Sequence, residues 1–338
     1  MSNENLAPFF ELGKKLRQKD FVERTFGEAI SLQQQLLPWY LPTFVEEAIT
    51  NIANALVEEQ LQAFANYNKP SAPKTIGVVP SGVTPLENFY DLFYVLAAGH
   101  NYSCKPAPGD KTLLSIMAEL LIEIEPSWRE RIRFSQSLGR PDAIILDTMA
   151  DQGDVLHQYL HKFKHILRHS TSSVAILTGD ESEQQLQALA RDIHLFFGRG
   201  ERGVAKLYVP CNYDFVPLLH AIHDSSTVIA DNNYYLNHLD YQKSIRLMNK
   251  LFYMDSGTFL LLESSDFRPA LSIVNYQYYN DITMVTEEIK RNRQSIQHVM
   301  SGRAYPGIST LPFGTSHSHP LTDYTSNINV FEFLNQLS

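Results

Sequence analysis

Cysteine is scarce in this chain. Cys104 and Cys211 are the only two cysteines among 338 residues. Two isolated cysteines give neither a zinc-ligand spacing nor a disulfide framework. The sequence therefore lacks the signature of a secreted, disulfide-stapled domain, and we expect a reducing compartment, the cytoplasm.

Basic residues and long apolar runs are also in short supply. Lys and Arg number 28 against 37 Asp and Glu, which gives a net charge of -9. This balance disfavours nucleic acid as a partner, because phosphate-backbone binding draws on a basic face. No stretch approaches the roughly 20 apolar residues of a membrane helix, and Met1 to Arg17 has no apolar core of a signal peptide. We predict neither a nucleic-acid partner nor a membrane span.

The remaining composition is that of a globular protein, with 44% hydrophobic and 19% charged residues. The length suggests about two domains of roughly 150 residues each. Residues 1–73 form a predicted helical segment, because apolar residues recur at three- and four-residue spacing over Phe9–Leu16 and Thr25–Leu36. Pro42 suits the first turn of a further helix that reaches Phe64.

Strands and helices alternate after residue 74. The pattern predicts strands over Thr75–Val79, Asn101–Lys105, Asp142–Leu146 and Ser173–Leu177, and helices over Leu86–Gly99 and Lys111–Ile124. A second series predicts helices over Glu181–Phe197, Phe215–His223, Asp240–Leu251 and Asp281–Met300, and strands over Val204–Val209, Thr227–Ala230, Thr258–Leu262 and Ala270–Tyr278. This alternation indicates parallel sheets in two α/β domains, residues 74–178 and 179–314, followed by a tail, 315–338.

Two loops would meet at one edge of the first sheet. The loop Pro80–Pro85 contains Gly82 and Thr84, and its backbone N–H groups could face an anion such as a cofactor phosphate. An ordinary strand-to-helix turn explains the same residues. Lys105 follows the next strand, where its cation could contact a ribose or a phosphate.

Histidines recur at four-residue spacing. They are His157, His161, His165 and His169. On one helix they would share a face, and pairs at this spacing can chelate a metal. No carboxylate or cysteine joins them, so we favour a solvated helix face and predict no metal site. His317 and His319 in the C-terminal loop are treated in the same way.

A glycine-rich loop separates a predicted helix from a strand. Gly198, Gly200 and Gly203 allow unusual backbone angles and the close approach of a ligand, although a long connecting turn is an equal reading. Cys211 lies beyond the following strand, and no partner base for it is identifiable.

Three segments together resemble the bacterial acyl-CoA reductase family, the LuxC-like branch of the aldehyde dehydrogenase superfamily. They are Thr75–Lys105, Ser173–Pro210 and Pro312–Leu334, and Leu37–Tyr40 also fits the compact form of that family. The resemblance covers nearly the whole chain in matching order. It implies an aldehyde dehydrogenase-like α/β fold, with residues 74–178 as the cofactor-type domain and residues 179–314 as the catalytic-type domain.

The resemblance also implies a reaction, the NADPH-dependent reduction of a fatty acyl thioester to an aldehyde. In that family a cysteine thiolate attacks the carbonyl, CoA leaves, and a hydride reduces the bound acyl group. The implied ligands are NADPH and an acyl thioester of CoA or acyl carrier protein. The predicted cofactor-binding positions are Gly82, Thr84, Lys105 and Thr148.

The sequence departs from the family pattern at three loops. Glu201 stands at the position of the nucleophilic cysteine, and Val83 stands at that of the asparagine expected to donate to the oxyanion. Thr148 and Met149 replace a Gly-Ser pair expected beside the nicotinamide. Three readings follow: a non-catalytic homologue, with a binding or scaffolding role and a homo- or hetero-oligomeric partner, altered chemistry such as thioester hydrolysis through Glu201, and a reductase with another nucleophile. We favour the first.

Overall fold

The computed structural model describes residues 3–67, 70–107, 111–148, 160–318 and 320–337. The chain divides into two compact units. Unit 1 comprises Met1–Ser170 and His319–Ser338, and unit 2 comprises Thr171–Ser318. The predicted boundary at residues 178–179 therefore lies beyond the observed division, and both the helical segment 1–73 and the end of the tail belong to unit 1.

Helices surround the sheet of unit 1. They are α1 (Ala7–Leu16), α2 (Lys19–Leu36), α3 (Pro42–Ala55), α4 (Glu58–Leu61), α5 (Phe89–Ala97) and α6 (Lys111–Ile124), with 3-10 turns at Glu4–Leu6, Gln62–Phe64, Pro126–Glu130 and Thr325–Asn327. Pro42 begins α3 as predicted, but this helix ends at Ala55 rather than at Phe64.

The sheet of unit 1 has five strands, all of them parallel. The strands are β1 (Thr75–Val79), β2 (Asn101–Cys104), β3 (Ile132–Phe134), β4 (Ala143–Thr148) and β5 (Lys164–His169), in the order β3-β2-β1-β4-β5. Strand β4 is buried along nearly its whole length, as expected for an apolar run in a parallel sheet that is covered on both faces.

An aromatic cluster joins both ends of the chain to α5. The Phe9 and Phe93 rings lie 4.8 Å apart, and the Phe64 and Phe331 rings lie 4.9 Å apart. Phe331 belongs to α12 (Val330–Asn335), which the buried His100 also holds, because its Nε2 lies 3.0 Å from the carbonyl oxygen of Leu334. The apolar end of the tail is thus a packed helix of unit 1.

Unit 2 is built on a six-stranded sheet. Its strands are β6 (Ser172–Ile176), β7 (Val204–Pro210), β8 (Met254–Asp255), β9 (Leu260–Glu263), β10 (Ile273–Tyr279) and β11 (Ile296–Ser301), in the order β11-β6-β7-β10-β9-β8. Only β8 pairs antiparallel with its neighbour. The helices are α7 (Glu183–His194), α8 (Val216–Ser225), α9 (Thr227–Ala230), α10 (Asn233–Met248) and α11 (Ile282–Arg291), with 3-10 turns at Leu195–Gly198 and Arg293–Ser295.

Several predicted elements are wrong. Lys164–His169 is strand β5 rather than part of a histidine-bearing helix, and Thr227–Ala230 is helix rather than strand. The helix predicted over Asp281–Met300 ends at Arg291, and its second half is strand β11. Among the described residues, no helix is long and apolar enough to cross a membrane.

Candidate active site

The predicted nucleotide residues of unit 1 meet at one edge of its sheet. The strand order reverses between β1 and β4, and ligands of such sheets bind beyond the carboxyl ends of the strands at this reversal. Gly82, Val83 and Thr84 follow β1, Lys105 follows β2, and Thr148 ends β4. The fold therefore brings all five positions to the same edge.

Gly82 allows the loops after β1 and β2 to touch. Its φ is +65°, and a Cβ added there would lie only 2.3 Å from the Cβ of Ala107. The space that its missing side chain leaves is thus filled by the chain itself. In this structure Gly82 joins two loops, and its α-carbon is not open to a ligand.

We expect Gly82→Ala to destabilise the protein more than Gly139→Ala. Gly139 has a similar φ of +68° but nothing within 4 Å of the added Cβ. Gly139→Ala should cost about 1 kcal/mol through backbone strain alone, and Gly82→Ala roughly 1–3 kcal/mol more, because two loops must separate. Urea denaturation of the two variants measures the difference. Equal losses would show that the contact with Ala107 carries no weight.

The amides of the β1 loop already have partners within unit 1. The Ser81 N–H donates to Asp147 Oδ2 at 3.3 Å, and the Val83 N–H donates to the Ser81 hydroxyl at 3.4 Å. Ser81 Oγ in turn donates to Glu87 at 2.9 Å. Helix α5 begins at Phe89 rather than at Leu86, because Leu86 has a φ of +57°. The loop is therefore not a direct extension of a helix N-terminus, and side-chain oxygens occupy two of its donors.

A buried ion cluster fixes the β1 loop to the sheet. Arg168 on β5 binds Asp91 of α5 through two bonds of 3.0 and 2.5 Å, and its Nε donates to Asp147 at 2.5 Å. Burial opposes the charge of Arg168, but Asp147 and Asp91 together raise its pKa well above the ordinary value. Burial also raises the pKa of Asp91, although Arg168 acts against this. Asp147 thus links Arg168 to the backbone of Ser81.

Tyr40 gives a role to the segment Leu37–Tyr40. This tyrosine is buried, and its hydroxyl donates to the carbonyl oxygens of Gly82 and Thr84, both at 3.4 Å. The loop is thus supported from the helical segment as well as from β4. Sequence reasoning missed Tyr40, Asp91, Asp147 and Arg168. The available signal was the acid that directly follows the apolar run of β4.

The described residues fit a dinucleotide chiefly at Lys105. This side chain is exposed beyond β2, at the edge where a ribose or phosphate would lie. Thr148 is buried at the end of β4. Met149 lies outside the described residues, as do residues 150–159, the segment that follows β4.

The glycine-rich loop of unit 2 begins with an unusual backbone turn. Helix α7 ends at His194 rather than at Phe197, and Phe196, Phe197 and Gly198 all have positive φ values of 55°, 62° and 67°. This conformation is costly for phenylalanine. Burial of both rings offsets the cost, since the Phe196 ring lies 5.1 Å from that of His317 and the Phe197 ring lies 5.3 Å from that of Tyr235.

Glu201 lies at the tip of this loop with a partly exposed side chain. Its carbonyl oxygen accepts a hydrogen bond of 3.2 Å from the Ser173 hydroxyl, which ties the loop to β6. Two glycines pack against each other below it, because a Cβ on Gly203 would lie 3.1 Å from the carbonyl oxygen of Gly198. The family asparagine at position 203 would require Gly198 to move.

Lys206 points away from the loop, into the interior of unit 2. Its Nζ donates to the carbonyl oxygen of Ser265 at 2.8 Å and to Glu288 at 3.0 Å. Glu288 also accepts from the Tyr208 hydroxyl at 3.0 Å and from Gln277 at 3.0 Å. Burial lowers the pKa of Lys206, and Glu288 opposes the shift. The lysine belongs to a structural polar network.

Neither cysteine can replace the missing nucleophile of this loop. Cys211 is exposed, and its Sγ lies 3.0 Å from Asn280 Oδ1. It follows the far end of β7, and a seven-residue strand separates it from the loop by about 20 Å. Cys104 is fully buried in β2 of unit 1. Within the described chain the loop therefore has no thiol.

The histidine row is not a helix face. His165 and His169 lie on strand β5 and His161 in the turn before it, whereas His157 is outside the described residues. His317 is buried beside Phe196, and His319 is likewise not described. In the described ranges, no group of three His, Cys, Asp or Glu side chains is arranged to hold a metal ion.

The architecture is similar to that of solved aldehyde dehydrogenases. A putative aldehyde dehydrogenase from Burkholderia cenocepacia aligns with a TM-score of 0.62 and 13% identity, over 90% of this chain and 75% of that one. The chain has an aldehyde dehydrogenase-like fold. The fold class predicted from the sequence is confirmed.

Two further structures contain a cofactor. Indole-3-acetaldehyde dehydrogenase, solved with NAD+, aligns with a TM-score of 0.63 and 12% identity, over 90% of this chain and 73% of that one. An NAD+ complex of aldehyde dehydrogenase from Bacillus cereus aligns at 0.59 and 11%, over 90% and 72%. No protein-family model and no curated protein sequence matches the chain. Because folds host many activities, the function has to be argued from the residues.

Proposed function

We propose that this chain is a homologue of the LuxC-like acyl-CoA reductases that no longer reduces acyl thioesters. The observation that carries the proposal is Glu201, at the family's cysteine position, on a loop without a thiol. The reaction needs a thiolate, because the acyl group must be held as a thioester until hydride arrives. A carboxylate would form an anhydride, which water cleaves more readily than hydride reduces it.

The oxyanion position supports the same conclusion. Val83 has no side-chain donor, and its backbone N–H lies 3.4 Å from the Ser81 hydroxyl. In enzymes of acyl transfer, removal of one donor to the oxyanion costs about 10²–10³ in rate. Loss of the nucleophile and of the donor together leaves little basis for turnover.

Intact-mass spectrometry tests the missing acyl transfer directly. The protein is incubated with a long-chain acyl-CoA and no reductant, so that any acyl-enzyme accumulates. We expect the mass to remain that of the free chain. A covalent adduct that maps to Glu201 would overturn the proposal. Release of free CoA without an adduct would instead favour the hydrolase reading, in which Glu201 activates water.

The proposed remaining activity is binding, with NADPH as the nucleotide and an acyl thioester as the second ligand. When bound, the nicotinamide nucleotide would supply hydride. The residues that would hold it are Lys105, at a ribose or phosphate, and Thr148 with the loop of Gly82 and Thr84 at the sheet edge. The NAD+ complexes of similar structures support a nucleotide of this class.

Lys105→Ala should weaken NADPH binding about tenfold, because it removes a charge-assisted contact worth about 1.4 kcal/mol. Lys74→Ala is the matched control, since Lys74 precedes β1 at the opposite end of the strands. We expect the control to bind like the unaltered protein in a fluorescence titration. Equal affinity of both variants would remove Lys105 from the site, and no affinity in any form would show that the nucleotide cleft has lapsed.

A protein that binds these ligands without reducing them would act as a partner subunit. We propose that it associates with an active reductase of the same fold, in the cytoplasm. Capture of acyl-CoA or acyl carrier protein would then serve the partner's chemistry. The proposal requires measurable binding of an acyl thioester, which calorimetry with a non-hydrolysable acyl-CoA analogue can test.

A further inference from the structure

Helix α10 of unit 2 is apolar on two opposite faces. Tyr235 and Leu239 are buried against the sheet, as expected for a surface helix. The outer face also carries large apolar side chains, because Tyr234 is 64% exposed, Tyr241 61% and Met248 85%. A helix with apolar residues all round is normally covered on both sides.

The apolar surface continues past the end of the helix. Lys250, with a φ of +54°, turns the chain so that the Leu251 N–H donates to the carbonyl oxygen of Arg246 at 2.9 Å. Leu251 is 57% exposed and Phe252 77%. Of the twelve exposed large apolar side chains among the described residues, six lie between positions 234 and 252. A contiguous group of this kind marks an interaction surface.

The exposed residues follow a seven-residue repeat. Tyr234, Tyr241 and Met248 are spaced by seven, and Asn237, Ser244 and Leu251 lie three residues after each of them. All six positions are exposed. We call these six residues the outer seam. Such spacing is that of the a and d positions of a helix that pairs with another helix.

We propose that the outer seam pairs antiparallel with the outer seam of a second copy of this chain. In antiparallel pairs each a position faces a d position of the other helix. One register, centred between residues 242 and 243, places Tyr241 against Ser244 and Met248 against Asn237. The same register places Tyr234 against Leu251 at both ends.

Size complementarity selects this arrangement. In the antiparallel register, a large side chain faces a small one in each central layer, which is how packed layers interdigitate. A parallel pair would place Tyr241 against Tyr241 and Ser244 against Ser244, so that crowded and empty layers alternate. Registers shifted by one heptad leave either Tyr234 or Leu251 uncovered. Only the centred register covers the whole outer seam.

Charge and area define the kind of complex. Asp240 and Leu247 flank the outer seam, and none of its six positions carries a charge. This surface suits an apolar partner rather than a polyanion. The pairing segment is about 26 Å long and would bury on the order of 500–600 Å² per copy, less than the roughly 800 Å² of a standard interface. We therefore expect a two-fold dimer with a micromolar Kd.

Sedimentation velocity of the full chain between about 1 and 100 µM tests the pairing. The unaltered protein should pass from monomer to dimer across this range, and Tyr241→Glu should remain monomeric. Met284→Glu is the matched control, since Met284 is 66% exposed on α11, outside the outer seam. A protein that stays monomeric throughout, or a dimer that Tyr241→Glu does not weaken, would overturn the proposal.

Cysteine cross-linking tests the register in a Cys211→Ser background. Tyr241→Cys mixed with an affinity-tagged Ser244→Cys should give a disulfide-linked heterodimer on mild oxidation. Tyr241→Cys mixed with tagged Asn237→Cys places the thiols about 10 Å out of register along the axis, and should give much less. Equal yields would overturn the proposed register. Flotation with neutral lipid vesicles, lost in Tyr241→Glu, would assign the surface to a membrane and overturn the dimer.

Discussion

Glu201→Cys alone should restore little reduction of a long-chain acyl-CoA, whereas Glu201→Cys combined with Val83→Asn should turn over about 10²–10³ times faster than the single variant. The cysteine supplies the nucleophile, and the asparagine supplies the donor that Val83 lacks. Nucleophile and oxyanion donor act as one unit in catalysis, so their effects do not add. NADPH consumption at saturating acyl-CoA measures the effect.

Two controls make this comparison specific. Glu201→Ala with Val83→Asn carries the donor without a thiol, and should stay at background. Cys211→Ser in the double variant removes the other exposed thiol, and should leave the restored rate unchanged because Cys211 lies beyond the far end of β7. If the two double variants were equally inactive, the site would lack more than these two groups, with the third departure at Thr148 the next to restore.

Arg168→Met should cost about 3–5 kcal/mol of unfolding free energy, the largest stability effect that we expect in unit 1. The substitution keeps most of the side-chain volume but leaves Asp91 and Asp147 buried side by side without their cation. Arg129→Met is the matched control. Arg129 forms an exposed ion pair with Glu119, and such pairs contribute about 1 kcal/mol or less.

The same variant should have an altered pH dependence. Burial already raises the pKa of Asp91, and loss of Arg168 raises it further. A carboxyl whose pKa is higher in the folded than in the unfolded protein stabilises the fold below its unfolded pKa, and this stability is lost as the pH rises through the folded value. Arg168→Met should therefore recover part of its loss between about pH 7 and 4. Denaturation midpoints that fall steadily on acidification, or a loss no greater than in Arg129→Met, would contradict this account of the cluster.

The parts of the fold that follow from local pattern were predictable. Strand β1 and helix α6 have the predicted bounds, because an apolar run between turn residues and a three-to-four-residue repeat each define one structure. Strand β5 was not predictable in this way, since its histidines mimic a helical spacing. Strand β11 follows α11 after a short turn, and its apolar residues continue the helical pattern across Asn292.

The candidate site shows the same division. The loops of Gly82 and Glu201 could be located from glycines and from the resemblance. The contacts that hold them could not, because Tyr40 and Arg168 reach the β1 loop across long sequence separations. The positive φ angles of Phe196 and Phe197 are equally hidden, since only tertiary burial of both rings makes them tolerable.

The most direct test of the central proposal is NADPH consumption by the unaltered protein with a long-chain acyl-CoA, before and after alkylation of its cysteines. We expect no turnover above background in either sample, because Glu201 cannot form the thioester. A kcat of about 1 s⁻¹ or more, the range of ordinary enzymes, would contradict the account. Turnover that survives alkylation would point to Glu201 chemistry, and turnover lost on alkylation to a cysteine nucleophile.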